Sequence, residues 1–226
     1  MSESFNPFDE PETKPALNEE WAAKRRIGNI LRELTENFVT CTTSAEELHQ
    51  LADVLESLPA KLLNAPRLLG RNAYVEIDDG KRHGDRGYLG YELNPVGGHS
   101  NPIAPPLSVH IDNDTAYGAV NLGWQYEGPP NCVHGGWVAA LFDQFLGVAQ
   151  AITKQPGVTG TLTTTFHKPT PICTDLKLTG RVVSVEGRKN KLRGEMWAGN
   201  IMTASCEGLF ISISNERFRS LIERKA

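Results

Sequence analysis

The chain is poor in the features that mark several functional classes. Its four cysteines, Cys41, Cys132, Cys173 and Cys206, lie far apart and include no C-x-x-C pair. That spacing fits neither a zinc site nor a dense disulfide framework, so reduced thiols and a cytoplasmic setting are expected. No stretch approaches eighteen apolar residues, so no membrane span is expected. The first twenty residues are acidic and hold no apolar run of the kind a signal peptide needs. Positive charge is not in excess: the formal net charge is −4, which leaves no global field to attract nucleic acid. His49, His83, His99, His110 and His167 show no H-x-x-x-H or other ligand spacing, so neither a metal nor another cofactor is expected.

What remains is an ordinary globular composition over 226 residues, enough for one substantial core and an appendage. Residues 1–17 are rich in Pro and Glu and read as a mobile tail. From Asn18, a plausible N-cap, Trp21, Ile27, Ile30, Leu31, Leu34 and Phe38 recur at helical spacing. Ser44 and Glu47 fit a capping box that opens a second helix, with Leu48, Leu51, Leu55 and Leu58 along one stripe up to Pro59. Residues 18–65 are therefore expected to be a helical hairpin extension, and residues 66–226 the main domain. Much of 66–106 reads as loop, with one short strand-like piece at Ala73-Tyr74-Val75-Glu76-Ile77.

Beyond Pro106 the pattern turns to strand. Val120, Leu122, Trp124 and Tyr126 alternate with Asn121, Gly123 and Gln125 until Gly128-Pro129-Pro130 breaks the run. Val138, Leu141, Phe142, Phe145, Ala149 and Ile152 then mark the most apolar helix of the chain. Four β-rich runs follow at 158–167, 176–185, 191–198 and 201–213, the last three reading as a meander of hairpins. Without β-α alternation, the expected class is α+β, with an antiparallel sheet wrapped around one central helix.

The informative segment is 126–147. There the chain turns through Gly and Pro and starts the buried helix at His134-Gly135-Gly136. A helix start collects unpaired N–H groups and the positive end of the dipole, and glycines let a ligand approach that backbone. A carbonyl placed there would have its developing oxyanion stabilised, most directly by the Gly135 N–H. Asp143 stands nine residues after His134, on the helix face of Gly136, Ala139, Ala140 and Gly147. Residues this small leave room for a substrate or another chain beside the carboxylate. A structural role for a buried, paired Asp is the competing reading.

Tyr126-Glu127-Gly128-Pro129-Pro130, His134-Gly135-Gly136 and Asp143 together resemble the PaaI-type hotdog thioesterases. Asn101-Pro102-Ile103-Ala104-Pro105-Pro106 and Phe166-His167-Lys168-Pro169-Thr170-Pro171 are similar to the family's flanking segments. The resemblance spans about 100–213. It implies a six-stranded sheet curled around the helix, dimers joined edge to edge, and hydrolysis of acyl-CoA at sites shared between subunits. It further implies that the Gly135 N–H polarises the carbonyl and that Asp143 of the other subunit attacks or activates water. Thr159, sixteen positions after Asp143, matches a family threonine that holds the water or the carboxylate. His134, Gly136, Asn131 and Lys168 are expected to contact substrate, and the active unit to be a homodimer or tetramer.

Alternatives stay open. Thr161, Thr163, Thr164 and Thr165 follow Thr159, and threonine is simply a good strand residue. Cys132 beside His134 invites a thiol mechanism but has no evident orienting group. Gly187-Arg188-Lys189-Asn190-Lys191 is a basic turn that can be solvated or meet CoA phosphates, as can Lys168. A non-catalytic acyl-CoA-binding module and a hydratase or dehydratase are the competing functions.

Overall fold

The computed structural model describes residues 14–58, 62, 64–77, 79–105, 107–155 and 157–213. Six strands form one antiparallel sheet: β1 (Ser108–Asp112), β2 (Thr115–Asn121), β3 (Gly157–Phe166), β4 (Asp175–Glu186), β5 (Lys189–Ala198) and β6 (Ile201–Ser212). Their spatial order is β1-β2-β4-β5-β6-β3, so β3 lies at the edge far from β1. Among the described residues five helices accompany them: α1 (Glu19–Thr40), α2 (Ala45–Glu56), α3 (Arg71–Glu76), α4 (Arg86–Leu93) and α5 (Gly135–Ala149). The meander β4-β5-β6 turns at Gly187 and Gly199, both left-handed with φ of 57°. That conformation costs glycine little and other residues more.

The sheet curls around α5, as expected from sequence. Phe142, Phe145, Leu146 and Leu141 of α5 are fully buried against Leu176, Leu178, Leu192, Met196 and Phe210 of the sheet. Burying each such side chain contributes roughly 1.5–3 kcal/mol. The close fit depends on glycines of the sheet beneath the helix. A Cβ on Gly180 would lie 2.7 Å from the Phe145 ring, and one on Gly194 would lie 3.2 Å from both Phe142 and Leu146. Larger residues there would push the helix away and flatten the wrap.

Both N-terminal helices form with the expected caps. Asn18 Oδ1 accepts from the Trp21 N–H, and Ser44 and Glu47 close a capping box. α1 is held by its polar side. Arg25 pairs with the fully buried Glu92 of α4 at 2.5 Å, and the Ser100 hydroxyl donates to the same carboxylate at 2.6 Å. Arg32 donates to the carbonyls of Asn101 and His99, and Gly28 lets α1 approach the Ser100 carbonyl, 3.1 Å from where a Cβ would sit. Trp21, fully buried, packs between Tyr74 and Tyr88. Ile27, Ile30, Leu31 and Phe38 face outward, and α2 buries none of its side chains.

Two local readings change. Ala73–Val75 lie in α3, because five residues are too few for a period of two to exclude a helix, and Tyr74 packs on Trp21 and His83. Trp124–Tyr126 form a single 3-10 turn instead of extending β2. β2 ends where its partner does, at the Asn121–Asp175 pair. Pro59, Pro106, Pro156 and residues 1–13 of the expected tail lie outside the described residues. No helix among the described residues is long and apolar enough to cross a membrane.

Candidate active site

The loop before α5 is built by its own backbone. Gly128 donates to the Cys132 carbonyl, His134 donates to the Tyr126 carbonyl, and Glu127 bridges to Val133. A Cβ on Gly128 would sit 2.7 Å from the His134 Cα, so the hairpin closes this tightly only with glycine there. Val133 and Ile172 exchange bonds with Thr170 and Asn131 across the neighbouring segment, which fixes the loop at the helix start. Asn131 takes a left-handed conformation with φ of 60°, and its N–H donates to the Glu127 carboxylate at 2.7 Å.

His134 is the N-cap of α5. Its Nδ1 accepts from the Gly136 N–H at 3.0 Å, which engages the lone pair of this nitrogen. The geometry fits a loop-orienting histidine better than a general base. With Gly136 capped in this way, the Gly135 N–H has no acceptor among the described residues. It is an open donor at the positive end of the most apolar helix.

Asp143 is exposed, two turns along α5 from Gly136. Its Oδ1 accepts from the Thr159 hydroxyl at 2.7 Å. Thr159 reaches the helix because β3 carries an irregularity between Thr159 and Thr161, where Gly160 is left out of the register with β6. A bulge of this kind re-aims the side chain next to it. The other threonines go elsewhere. Thr161 and Thr163 line a depression of about 290 Å³ on the outer face of the sheet, with Val183 and Leu209. Thr164 turns inward to the Cys206 sulfur at 3.6 Å. Burial pushes the Cys206 thiol up, and the charge of Asp143 adds to this against lowering bonds from Thr164 and the Thr163 backbone. That buried thiol is a poor nucleophile.

The chain therefore brings together Asp143 with Thr159, and His134 with Gly135, Gly136 and Asn131, as two separate groups. Eight residues of helix put about 12 Å between the Gly135 N–H and Asp143, at 1.5 Å per residue. One carbonyl cannot meet both on one chain. Lys168 is exposed near the end of β3, and its side chain has no partner among the described residues. A cleft of about 540 Å³ opens elsewhere, between α1, residues 97–99 and Gly123 to Tyr126, and none of the site residues lines it. The Asp143 side is instead an exposed helix face beside β3, the terminal strand of the sheet. Among the described residues no group of three His, Cys, Asp or Glu side chains is placed to hold a metal.

Two neighbours of the site were not singled out from the sequence. Asn94 donates to Gln144, the residue after Asp143, at 2.8 Å. The Phe166 ring lies against Gly135, where a Cβ would come within 3.3 Å of its Cζ. Phe166 stood in the flanking segment that carried the resemblance, but nothing in that segment indicated which residue it would touch.

Comparison with known proteins bears on the family and the fold. The Thioesterase superfamily model matches residues 131–205, from the loop before α5 into β6. A crystal structure of a thioesterase superfamily protein is 30% identical, covers 90% of this chain and 98% of that one, and superposes with a TM-score of 0.70. The PaaI protein of the E. coli phenylacetic acid degradation operon is 18% identical over 48% of this chain and 80% of its own, with a TM-score of 0.45. A Streptococcus mutans protein solved bound to acetyl CoA is 14% identical over 48% of this chain and 89% of its own, with a TM-score of 0.46. With its six-stranded sheet around a central helix and 30% identity along nearly the whole of a solved member, this chain belongs to the thioesterase superfamily and has the hotdog fold.

Proposed function

We propose that the protein hydrolyses acyl-CoA thioesters to the free acid and CoA, in sites that two copies of the chain complete together. The observation that carries this reading is the Thr159–Asp143 hydrogen bond on an open helix face, about 12 Å from the open Gly135 N–H. A second copy joined along the free edge of β3 brings its Asp143 to the Gly135 of the first. The active unit is then a homodimer, or a tetramer of such dimers. The four unpaired cysteines fit a reducing, cytoplasmic setting.

In this scheme the thioester oxygen accepts from the Gly135 N–H, which strengthens its grip as negative charge develops. Asp143 either attacks the carbonyl carbon or takes a proton from the water that does. In the water route the C–O bond forms, the C–S bond breaks, and the sulfur leaves as thiolate and takes up the proton. Thr159 donates to one carboxylate oxygen and leaves the other free to face the substrate.

Asp143→Asn keeps the shape of the side chain and removes most of its basicity. General base catalysis contributes about 10²- to 10⁴-fold, so kcat should fall by that order while KM moves less and the melting temperature holds. Mixing this variant with Gly135→Pro subunits should restore part of the activity as mixed dimers form. A well-folded Asp143→Asn protein with wild-type turnover would remove Asp143 from the mechanism. Wild-type protein that binds a panel of acyl-CoAs without cleaving any would favour a binding module.

A further inference from the structure

The phenylalanines of the sheet-and-helix body divide sharply. Phe142, Phe145 and Phe210 are fully buried, whereas Phe166 is 55% exposed at the last position of β3. Its position is nonetheless fixed. Phe166 pairs with Ala204 of β6, and the N–H groups of His167 and Lys168 both donate to the Thr203 carbonyl, at 2.8 and 3.0 Å. His167 Nε2 lies 2.8 Å from the Ser205 hydroxyl, which pins the residue that follows the ring. The free part of Phe166 is its ring, and the tip of that ring rests on Gly135. A Cβ there would lie 3.3 Å from Cζ and 3.5 Å from Cε1.

A half-exposed aromatic ring against an open N–H has a chemical consequence. A carbonyl oxygen bound to the Gly135 nitrogen sits about 2.9 Å from it. The carbonyl carbon is about 1.2 Å further on, close enough to Gly135 for one of its substituents to lie against the ring. One substituent is the thiol sulfur, followed by the same unbranched methylenes in every CoA thioester. Only the acyl side varies between substrates, and only there can a fixed ring discriminate.

Resting on the thioesterase reading, we propose that Phe166 is a specificity residue: its ring limits bulk at the acyl carbon next to the thioester carbonyl. The site takes acyl groups unbranched at that carbon and excludes those carrying a methyl or larger branch. Gly135 has a second duty in this arrangement, because a side chain there would occupy the space between ring and carbonyl.

The test compares butyryl-CoA with 2-methylpropanoyl-CoA on wild type, Phe166→Ala and Phe166→Leu, with a melting curve for each. One methyl group against a shaped apolar wall is worth about 10- to 200-fold in kcat/KM. The wild type should prefer the unbranched substrate, and Phe166→Ala should move the ratio at least about tenfold toward the branched one. Phe166→Leu should fall between them. A purely structural ring predicts equal losses on both substrates together with a lower melting temperature, and a ratio within twofold of wild type would overturn the proposal. The same comparison by calorimetric binding of the two non-hydrolysable ketone analogues, in which a methylene replaces the thioester sulfur and the carbonyl is kept, needs no turnover. If wild type cleaves neither these thioesters nor any other acyl-CoA of the panel, the hydrolase reading fails, while an unchanged ratio of binding constants would separately remove Phe166 as a selector.

Discussion

The central helix α5 and the N-terminal helix α1 solve the same problem in opposite ways. α5 buries Leu141, Phe142, Phe145 and Leu146 and turns Gly136, Ala139, Ala140 and Asp143 outward. α1 turns Arg25, Gly28 and Arg32 toward the rest of the chain and leaves Ile27, Ile30, Leu31 and Phe38 in the open. The first is held by non-directional burial spread over a closely fitted surface. The second is held by one buried anchor, Trp21, and by a few directional bonds, which fix one position and weaken together when one partner is lost. Shape can be tuned on the outer face of α5 without cost to the core, and that is where the site stands.

The largest expected effect of breaking this contrast is in the α5 core. Phe142→Ala removes a fully buried ring that packs on the Gly194 backbone. Large-to-small changes of this kind cost about 3–5 kcal/mol, so the whole sheet-and-helix body should melt earlier in one cooperative transition. Denaturant titration with an unchanged slope is the measurement.

Arg25→Ala should cost about as much locally, and differ in where the cost appears. It leaves the Glu92 carboxylate buried without its cation, and breaking such a pair is worth about 3–5 kcal/mol. The expected result is faster hydrogen exchange and proteolysis over residues 19–40, with little change in the β4-β5-β6 amides. Acid should do the same to the wild type. Burial alone would raise the Glu92 carboxyl, but the bonds from Arg25, Ser100 and Tyr88 outweigh it and hold the group below its usual value. A depressed folded value means the stabilisation is fully present above the ordinary carboxylate range and is lost as pH falls through the folded value. Release of α1 should therefore set in below about pH 4 and be absent between pH 6 and 8. Loss of α1 protection at neutral pH in the wild type would contradict the assignment.

How much of this was legible depended on the distance over which each contact forms. The α5 stripe, the four following strands, the N-cap at Asn18 and the capping box at Ser44 are local patterns, and they appear where the sequence placed them. His134, Gly135, Gly136 and Asp143 could be found because one helix carries them all. Thr159 was one of five nearby threonines, distinguished only by its spacing in the family resemblance. The reason it meets Asp143 is the bulge at Gly160, which leaves no mark in composition. Arg25 and Glu92 are 67 positions apart, and the two glycines in α4 hide its helical character until the Asp85 cap is seen to accept from the Tyr88 N–H. Phe166 on Gly135 depends on how far the sheet curls, a global property that no short pattern carries.

The smallest expected effect lies on α2, and it makes the sharpest check on which surfaces of this chain are covered. Val54 is 60% exposed on a helix that buries none of its side chains. In a single copy, Val54→Ala removes almost no packing, and surface changes of this type fall within about 0.5 kcal/mol. Alanine also loses less side-chain freedom in a helix than a β-branched residue, so the expected shift is neutral to stabilising by a few tenths of a kcal/mol. The alternative outcome carries a different meaning. A destabilisation of about 1 kcal/mol or more would require Val54 to be buried against something outside its own chain. If that loss grew as protein concentration was raised, the covering surface would be a second copy, and the apolar stripes of α1 and α2 would belong to an interface. A melting curve for wild type and Val54→Ala at two concentrations a hundredfold apart separates the cases: coincident shifts at both leave α2 a solvent-exposed helix, held by its capping box and by its connection to α1.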